Sequence, residues 1–325
     1  MLNRFRSLFL GATAAALAAT AAFAQEKLTF AHVYEVDSAY NQWAQWAADE
    51  IGKRTDGRVT VENFPAASLG NENDIFQGLS LGTVDITLSG SFYAGQLYPP
   101  MSLSSAPYMY RDFDHWLKYS KSDLFEEISS EYTEQSGRHV LGLIYYGARH
   151  LTANREINSP EDMAGMKLRV PNSPMFTLFP RSVGANATPI QFAEVYLALQ
   201  QGVVDGQENP LPTIVFKKFY EVQSHVMLTG HLMDSLVVEM GDPAWQRLSE
   251  EDRAIVAEVL GEMADNATQA VRESEMELAQ SMPEKYGVTL VEIDRAPFVE
   301  AMKPLLEADD LPWTKEHVAR VQAIK

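Results

Sequence analysis

The feature that most constrains the fold is an alternation of strand and helix signals that begins at Leu28. The apolar run Leu28–His32 is typical of a buried strand, and Ser38 can cap the helix that follows it. Arg58–Phe64 alternates as a half-buried strand does, and a second helical pattern leads into the strand TVDITLS. This β-α-β-α-β order favours a mainly parallel sheet with helices on both faces, so the sequence predicts an α/β fold.

A second alternation of the same kind begins at the apolar segment His139–Gly147. Ser159 and Pro160 mark a helix start, and the segments MKLRVP and VVDGQEN each predict a short strand. The residues Thr188-Pro189-Ile190-Gln191 have the form of a capping box with proline at the first helical position. They predict a helix that places Phe192, Val195, Tyr196 and Leu199 on one face. Two such sets of strands and helices occur in about 300 residues, which is more than one hydrophobic core usually contains. We therefore expect two lobes with parallel-rich sheets flanked by helices.

A long helical pattern runs from Ser249 toward Met282. Ser249 can cap its start, and the three acidic residues that follow suit the positive end of the helix dipole. Only Gly261 interrupts the pattern. Two interpretations stay open, namely one continuous helix or two helices broken at Gly261.

The first 24 residues have the pattern of a secretory signal. Arg4 and Arg6 precede the apolar stretch Leu8–Ala22, and Ala22-Phe23-Ala24 supplies the small residues of a cleavage site. A membrane span needs roughly 20 apolar residues, and this stretch is short and rich in alanine. We expect cleavage after Ala24 and a mature protein in the periplasm. Because the sequence has no cysteine, the mature N-terminus cannot be lipidated and no disulfide can form.

The chain is strongly acidic, with 44 Asp and Glu against 26 Lys and Arg and a formal net charge of −18. Such a surface repels nucleic acid and anionic lipid, so we expect no nucleic-acid partner. The seven histidines form no HExxH motif, and the sequence has neither a GxSxG elbow nor a glycine-rich phosphate loop. We expect no metal, no cofactor and no enzymatic activity. An anionic ligand would need a locally positive pocket, which buried arginines can provide.

Arg169 is the first candidate for such a pocket. It lies between Leu168 and Val170, and strand alternation sends these two apolar side chains to one face and Arg169 to the other. Burying an unpaired charge is very costly. The residues alone leave two interpretations open, namely an internal salt bridge or a bidentate contact with a ligand carboxylate.

Arg149 and Asn209 are the other two candidates. Arg149 follows the apolar strand LGLIYYG, and ligands of open α/β sheets sit at the carboxyl ends of strands. A surface arginine is the alternative. Asn209 precedes Pro210, and its amide can donate to a carboxylate and accept from a hydroxyl. A turn-forming asparagine is the alternative, because VDGQENP is rich in turn residues.

The three segments that carry these residues are YYGARHLTANREI, MKLRVPNSP and VVDGQENP. They resemble the ligand-gripping core of the DctP-type extracytoplasmic solute receptors that feed TRAP transporters, and the resemblance covers nearly the whole mature chain. It implies that Arg169 clamps a substrate carboxylate while Arg149 and Asn209 support it. It also implies a hinge that closes around the ligand, a long C-terminal helix that braces both lobes, and delivery to the small and large permease subunits.

The resemblance further implies that a small organic acid is captured rather than converted. The segments YYGARHLTAN and LTGHLMDSL look like those of sugar-acid receptors, which favours a uronate or an aldonate. Another small anion stays open, namely a hydroxy acid, a keto acid or a sulfonate such as isethionate, and so does a periplasmic sensory receptor. A monomer is expected for a receptor that docks on a permease.

The two lobes should share the chain unequally. We assign 25–146 and 235–274 to lobe I, and 147–234 and 275–325 to lobe II. Further residues that we expect at the cleft lie at strand ends or at positions that vary among relatives: His32, Val33, Glu72, Ser89, Tyr93, Asn172, Thr213 and Asp234.

Overall fold

The computed structural model describes residues 25–308 and 310–325, so the predicted signal segment lies outside the described residues. The strands are β1 (Glu26–Ala31), β2 (Val59–Phe64), β3 (Ile86–Gly90), β4 (Arg138–Ala153), β5 (Lys167–Val170), β6 (Asn186–Pro189), β7 (Gly206–Pro210), β8 (His225–Gly241) and β9 (Thr289–Val291). They form one sheet in the order β2-β1-β3-β8-β4-β7-β5-β6, with β9 paired to β8.

Helices cover this sheet, as the predicted α/β class requires. They are α1 (Ala39–Arg54), α2 (Glu72–Leu81), α3 (Ser91–Ala94), α4 (Phe113–Ser120), α5 (Asp123–Ser136), α6 (Leu178–Ser182), α7 (Val195–Gln200), α8 (Leu211–Phe216), α9 (Asp242–Trp245), α10 (Glu250–Tyr286), α11 (Ala296–Leu306) and α12 (Lys315–Ala323). Across the described ranges, none of the helices combines the length and the apolar character needed to cross a bilayer.

The sheet is mixed rather than mainly parallel. β1 pairs in parallel with β2 and β3, and β5 pairs in parallel with β6 and β7. Between these two parallel halves, β4 and β8 run antiparallel to each other over 16 and 17 residues. β3 then joins β8, and β7 joins β4, also antiparallel. The two long strands belong to both halves, which is why a single sheet replaces the two that the sequence predicts.

Two of the predicted helix caps are present. The Ser38 side chain accepts from the Asn41 N–H at the start of α1, and the Ser249 side chain accepts from the Asp252 N–H at the start of α10. Ser159 forms a capping box, although the turn it opens is a short 3₁₀ helix. The helix start predicted at Thr188 is wrong, because Thr188 belongs to β6 and pairs with Arg169 of β5. The helical residues begin with a 3₁₀ turn at Phe192 and continue as α7.

The long helix α10 is continuous through Gly261, which confirms the first of the two interpretations. It packs against α1 and β4 and, toward its C-terminal end, against α8. Leu278 and Met282 of this helix enter a second apolar core, which also contains Ile214 of α8 and is separate from the main core. The helix therefore contacts both halves of the sheet.

Candidate functional site

A small cavity lies where the two halves of the sheet meet, with a volume of about 30 Å³. From the β1–β3 half it is lined by Tyr34, Glu72, Gly90, Phe92 and Tyr93, and from the other elements by Tyr146, Arg149, Arg169, Pro171, Phe192, Asn209, Asp234 and Leu236. Six of the eleven predicted site residues are in this wall, including all three of the main candidates. We call it the binding cavity.

Arg169 reaches the binding cavity from β5 and is 2% exposed. Its Nε and Nη2 both donate to the Ile190 carbonyl, at 2.9 and 2.7 Å, whereas its Nη1 has no partner among the described residues. Burial lowers the pKa of Arg169 to about 10, although the charges of Glu208 and Glu72 act in the opposite direction. The guanidinium is thus charged at neutral pH, held at one edge, and unpaired at Nη1.

Arg149 of β4 lies in the same wall but has a different environment. Its Nη1 donates to Asp234 Oδ2 at 2.8 Å, and its Nε and Nη2 donate to the Glu208 carboxylate. Burial alone would lower the pKa of Arg149, but Glu208 and Asp234 outweigh burial and raise it. An internal salt bridge was one of the two alternatives for Arg169, and the structure has such a salt bridge at Arg149 instead. The Arg149 guanidinium thereby connects β4 to β7 and β8.

Asn209 of β7 is fixed through both ends of its amide. Tyr146 donates its hydroxyl to Asn209 Oδ1 at 3.2 Å, and Asn209 Nδ2 donates to Gln207 Oε1 at 2.6 Å. An amide nitrogen carries two N–H donors, so one of them is left for a further acceptor in the cavity. The residue is a fixed donor rather than part of a flexible turn.

Glu72 and Tyr93 bring polar groups from the other half of the sheet. Glu72 is the first residue of α2, and its Oε2 is buried without a partner among the described residues. Burial raises the pKa of the Glu72 carboxyl, against the opposing effects of a backbone hydrogen bond and of Arg169 and Lys217. Burial also raises the pKa of Tyr93, so its phenol keeps its proton. Both groups are able to meet ligand hydroxyls.

The other five predicted residues do not line the binding cavity. His32 and Val33 are buried before Tyr34, where the Tyr34 N–H donates to His32 Nδ1 at 3.2 Å. Ser89 donates to Glu239, away from the wall. Asn172 is exposed. Thr213 is buried and lines a neighbouring small cavity.

The sequence does not predict the aromatic part of the wall or the partner of Arg149. The aromatic part consists of Tyr34, Phe92, Tyr146 and Phe192. Tyr34 and Tyr146 adjoin predicted strand ends, and that position was the available signal. Glu208 directly precedes Asn209, yet nothing local indicates that it reaches Arg149.

Comparisons with known proteins identify the family of this chain. Residues 30–309 match the model of the DctP family, described as bacterial extracellular solute-binding protein, family 7. The chain is 36% identical over 285 residues to the sialic acid-binding periplasmic protein SiaP of Vibrio cholerae, and the match covers 88% of each chain.

Solved structures of relatives have the same fold. A solute-binding protein of Roseobacter denitrificans is 36% identical over 311 residues, covering 95% of each chain. Its crystal structure with bound L-galactonate has a TM-score of 0.85 at 33% identity, over 92% of this chain and 98% of that one. A TRAP periplasmic solute binding protein of Xanthobacter autotrophicus with bound β-D-galacturonate has a TM-score of 0.86 at 28% identity, over 92% and 100%. These likenesses confirm the predicted two-lobed periplasmic binding protein fold.

Proposed function

Since the chain belongs to the bacterial extracellular solute-binding protein family 7, we propose that it captures a sugar acid, namely a uronate or an aldonate. Members of this family are solute receptors that work with the membrane permease components of TRAP transporters. The proposal concerns the ligand and the residues that hold it.

The observation that carries the proposal is the unpaired Nη1 of Arg169. A buried guanidinium without a carboxylate partner is unfavourable unless a ligand supplies one, because an uncompensated buried charge is costly. A ligand carboxylate would accept from Nη1 while Ile190 keeps the other edge in place. The free N–H of Asn209 would add a second donor to the same carboxylate. Arg149, whose charge Glu208 and Asp234 compensate, would support the wall.

The rest of the wall favours a hydroxylated acid over a short apolar one. The unpartnered Glu72 oxygen can accept from a ligand hydroxyl, and the Tyr93 phenol can donate to one. Tyr34 and Phe192 offer apolar ring surface to carbon-bound hydrogens. Bound L-galactonate and β-D-galacturonate in two relatives have this combination of one carboxylate and several hydroxyls.

Capture requires the two lobes to separate and close. A volume of about 30 Å³ is small for such a ligand, since ligand pockets measure roughly 300 Å³ or more. A sugar acid would therefore enter with the lobes apart, and its higher affinity for the closed form would draw them together. We keep 25–146 with 235–274, and 147–234 with 275–325, as the proposed lobes.

We further propose that the receptor releases its ligand unchanged, works as a monomer, and delivers the ligand to both the small and the large permease subunits. Its signal segment is cleaved after Ala24. Five candidates lie outside the cavity wall and would either shape the cleft from behind or contact the ligand as the lobes close: His32, Val33, Ser89, Asn172 and Thr213.

A thermal-shift screen tests the ligand assignment. The purified protein is heated with uronates, aldonates, sialic acid, hydroxy acids, keto acids, isethionate and neutral sugars. A ligand at 100 times its Kd stabilises the folded state by about 2.7 kcal/mol, so a true ligand raises the melting temperature measurably. Shifts with uronates or aldonates support the proposal, and the same ligand concentration should give a much smaller shift in Arg169→Gln. Shifts with only isethionate or keto acids would select the alternative anions, and shifts with neutral sugars alone would overturn the carboxylate assignment.

A further inference from the structure

An ion pair lines a second small cavity beside the binding cavity. Lys217 Nζ lies 2.6 Å from Glu35 Oε1, and the two side chains are only 11% and 30% exposed. Tyr34 and Phe192 line both this second cavity and the binding cavity. The Glu35–Lys217 ion pair is therefore one aromatic layer away from the proposed ligand.

The pair connects the two halves of the sheet. Glu35 follows β1, and Lys217 directly follows α8, which continues from β7. Three strands, β3, β8 and β4, separate β1 from β7 in the sheet. The contact therefore crosses the cleft and does not fasten neighbouring elements of a single lobe.

Phe192 links this pair to the cavity wall. The Lys217 ammonium lies 4.9 Å from the centroid of the Phe192 ring, and the Phe192 ring lies 6.1 Å from the Tyr34 ring. A cation over an aromatic face is attracted to it, more strongly where water is excluded. Lys217 thus holds Glu35 by charge and covers Phe192 at the same time.

We propose that the Glu35–Lys217 ion pair forms as the lobes close and slows release of the ligand. The inference rests on the proposed function, since it requires a ligand held between the lobes. In the open form both charges return to water, so the lobes cannot separate until the pair is broken. A partly exposed ion pair with a cation–π contact should slow release by about threefold to tenfold.

Two single variants separate this role from general electrostatics. Lys217→Met and Glu35→Gln each remove one charge of the pair, so both should speed release about threefold to tenfold and leave the association rate unchanged. If the two residues acted only through their charges on an anionic ligand, Glu35→Gln would instead slow release. The double variant E35K/K217E should restore a release rate close to that of the original chain.

Lys27→Met provides a matched control. Lys27 pairs with Glu62 at 2.5 Å, but this pair joins the neighbouring strands β1 and β2 within one lobe. Release from this variant should equal that of the original protein. Rates are measured by surface plasmon resonance on immobilised protein, with L-galactonate or galacturonate as the probe, according to the thermal-shift screen.

Faster release in both single variants, with recovery in the double variant, supports the proposal. Unchanged release, or slower release in Glu35→Gln, overturns it while leaving the receptor function intact. Absence of binding of any acid to the unmodified protein would overturn the receptor function itself, and the ion-pair role with it.

Discussion

Replacing Arg169 with glutamine removes a buried charge from the binding cavity and leaves a shorter polar side chain, whose amide nitrogen can stand where the arginine Nε stood. The perturbation is specific because Arg169 pairs with no carboxylate among the described residues, and its hydrogen bonds go to the Ile190 carbonyl. A glutamine can keep one bond to that carbonyl. What disappears is the positive charge and the Nη1 donor that we assign to the ligand carboxylate.

The magnitude follows from this geometry. Truncating one partner of a buried, hydrogen-bonded charge pair costs about 2 to 5 kcal/mol of binding free energy, so the Kd should rise about 30-fold to 5,000-fold. Arg169→Lys keeps the charge but cannot hold Ile190 and the ligand together through one planar fork. Losing about one charge-assisted hydrogen bond should raise the Kd about tenfold to 100-fold.

Isothermal titration calorimetry with the acid selected by thermal shift measures these changes, and circular dichroism checks that each variant is folded. Arg138→Gln is the matched control. Arg138 is also buried, but its Nη1 lies 4.0 Å from Glu239 Oε2, its Nη2 donates to Phe76 and Ser80, and it does not line the cavity. It should lose stability and keep its Kd. A Kd for Arg169→Gln within about threefold of the original, equivalent to less than about 1 kcal/mol, would refute the assignment.

Two further predictions concern stability. Burial lowers the pKa of His32 to about 4 in the folded protein, whereas the pKa in the unfolded chain is about 6.5. Between these two values the unfolded chain binds a proton at His32 that the folded protein does not bind. The folded state is therefore destabilised as the pH falls from 6.5 toward 4. Between pH 7 and pH 5 the loss from this group is about 2 kcal/mol, and urea unfolding of His32→Gln should lack that increment; an identical pH dependence in the variant would contradict it. Gly147 has a φ of +123°, and an added Cβ would lie 2.6 Å from Pro210 Cβ. Gly147→Ala should therefore cost at least about 2 kcal/mol more than Gly165→Ala, whose added Cβ meets no atom within 4 Å; equal melting temperatures for the two variants would show that the backbone there adapts.

Short-range signals explain why much of the fold was predictable. Ser38 and Ser249 cap their helices through N–H groups three residues away, so the information lies within one turn of chain. Pro189 shows the limit of such signals. A proline fits the first turn of a helix because no N–H is needed there, and it fits the edge strand β6 for the same reason. Pairing between Val170 and Pro189, which tertiary packing decides, selects the strand.

The centre of the sheet was not predictable for a different reason. The register of β4 on β8 shifts at three places, one of them between Tyr145 and Gly147. These shifts depend on which residues of two distant segments meet, and no pattern within either segment encodes that choice. The contacts in the cavity wall were unpredictable for the same reason, because Glu208 and Asp234 are 59 and 85 positions away from Arg149 in the sequence.

The two buried arginines differ in whether a carboxylate of the protein compensates their charge, and this difference separates a structural from a binding role. Both are 2% exposed and both line the binding cavity, so neither exposure nor position separates them. Arg149 is compensated by Glu208 and Asp234, and a ligand carboxylate there would compete with two fixed carboxylates in the same low-dielectric region. Within the described part of the chain, Arg169 donates only to the Ile190 carbonyl, so an incoming carboxylate relieves a cost already present in the free protein. We therefore expect most of the binding free energy to come from Arg169, while Arg149 holds β4, β7 and β8 in the arrangement that leaves Arg169 unpaired.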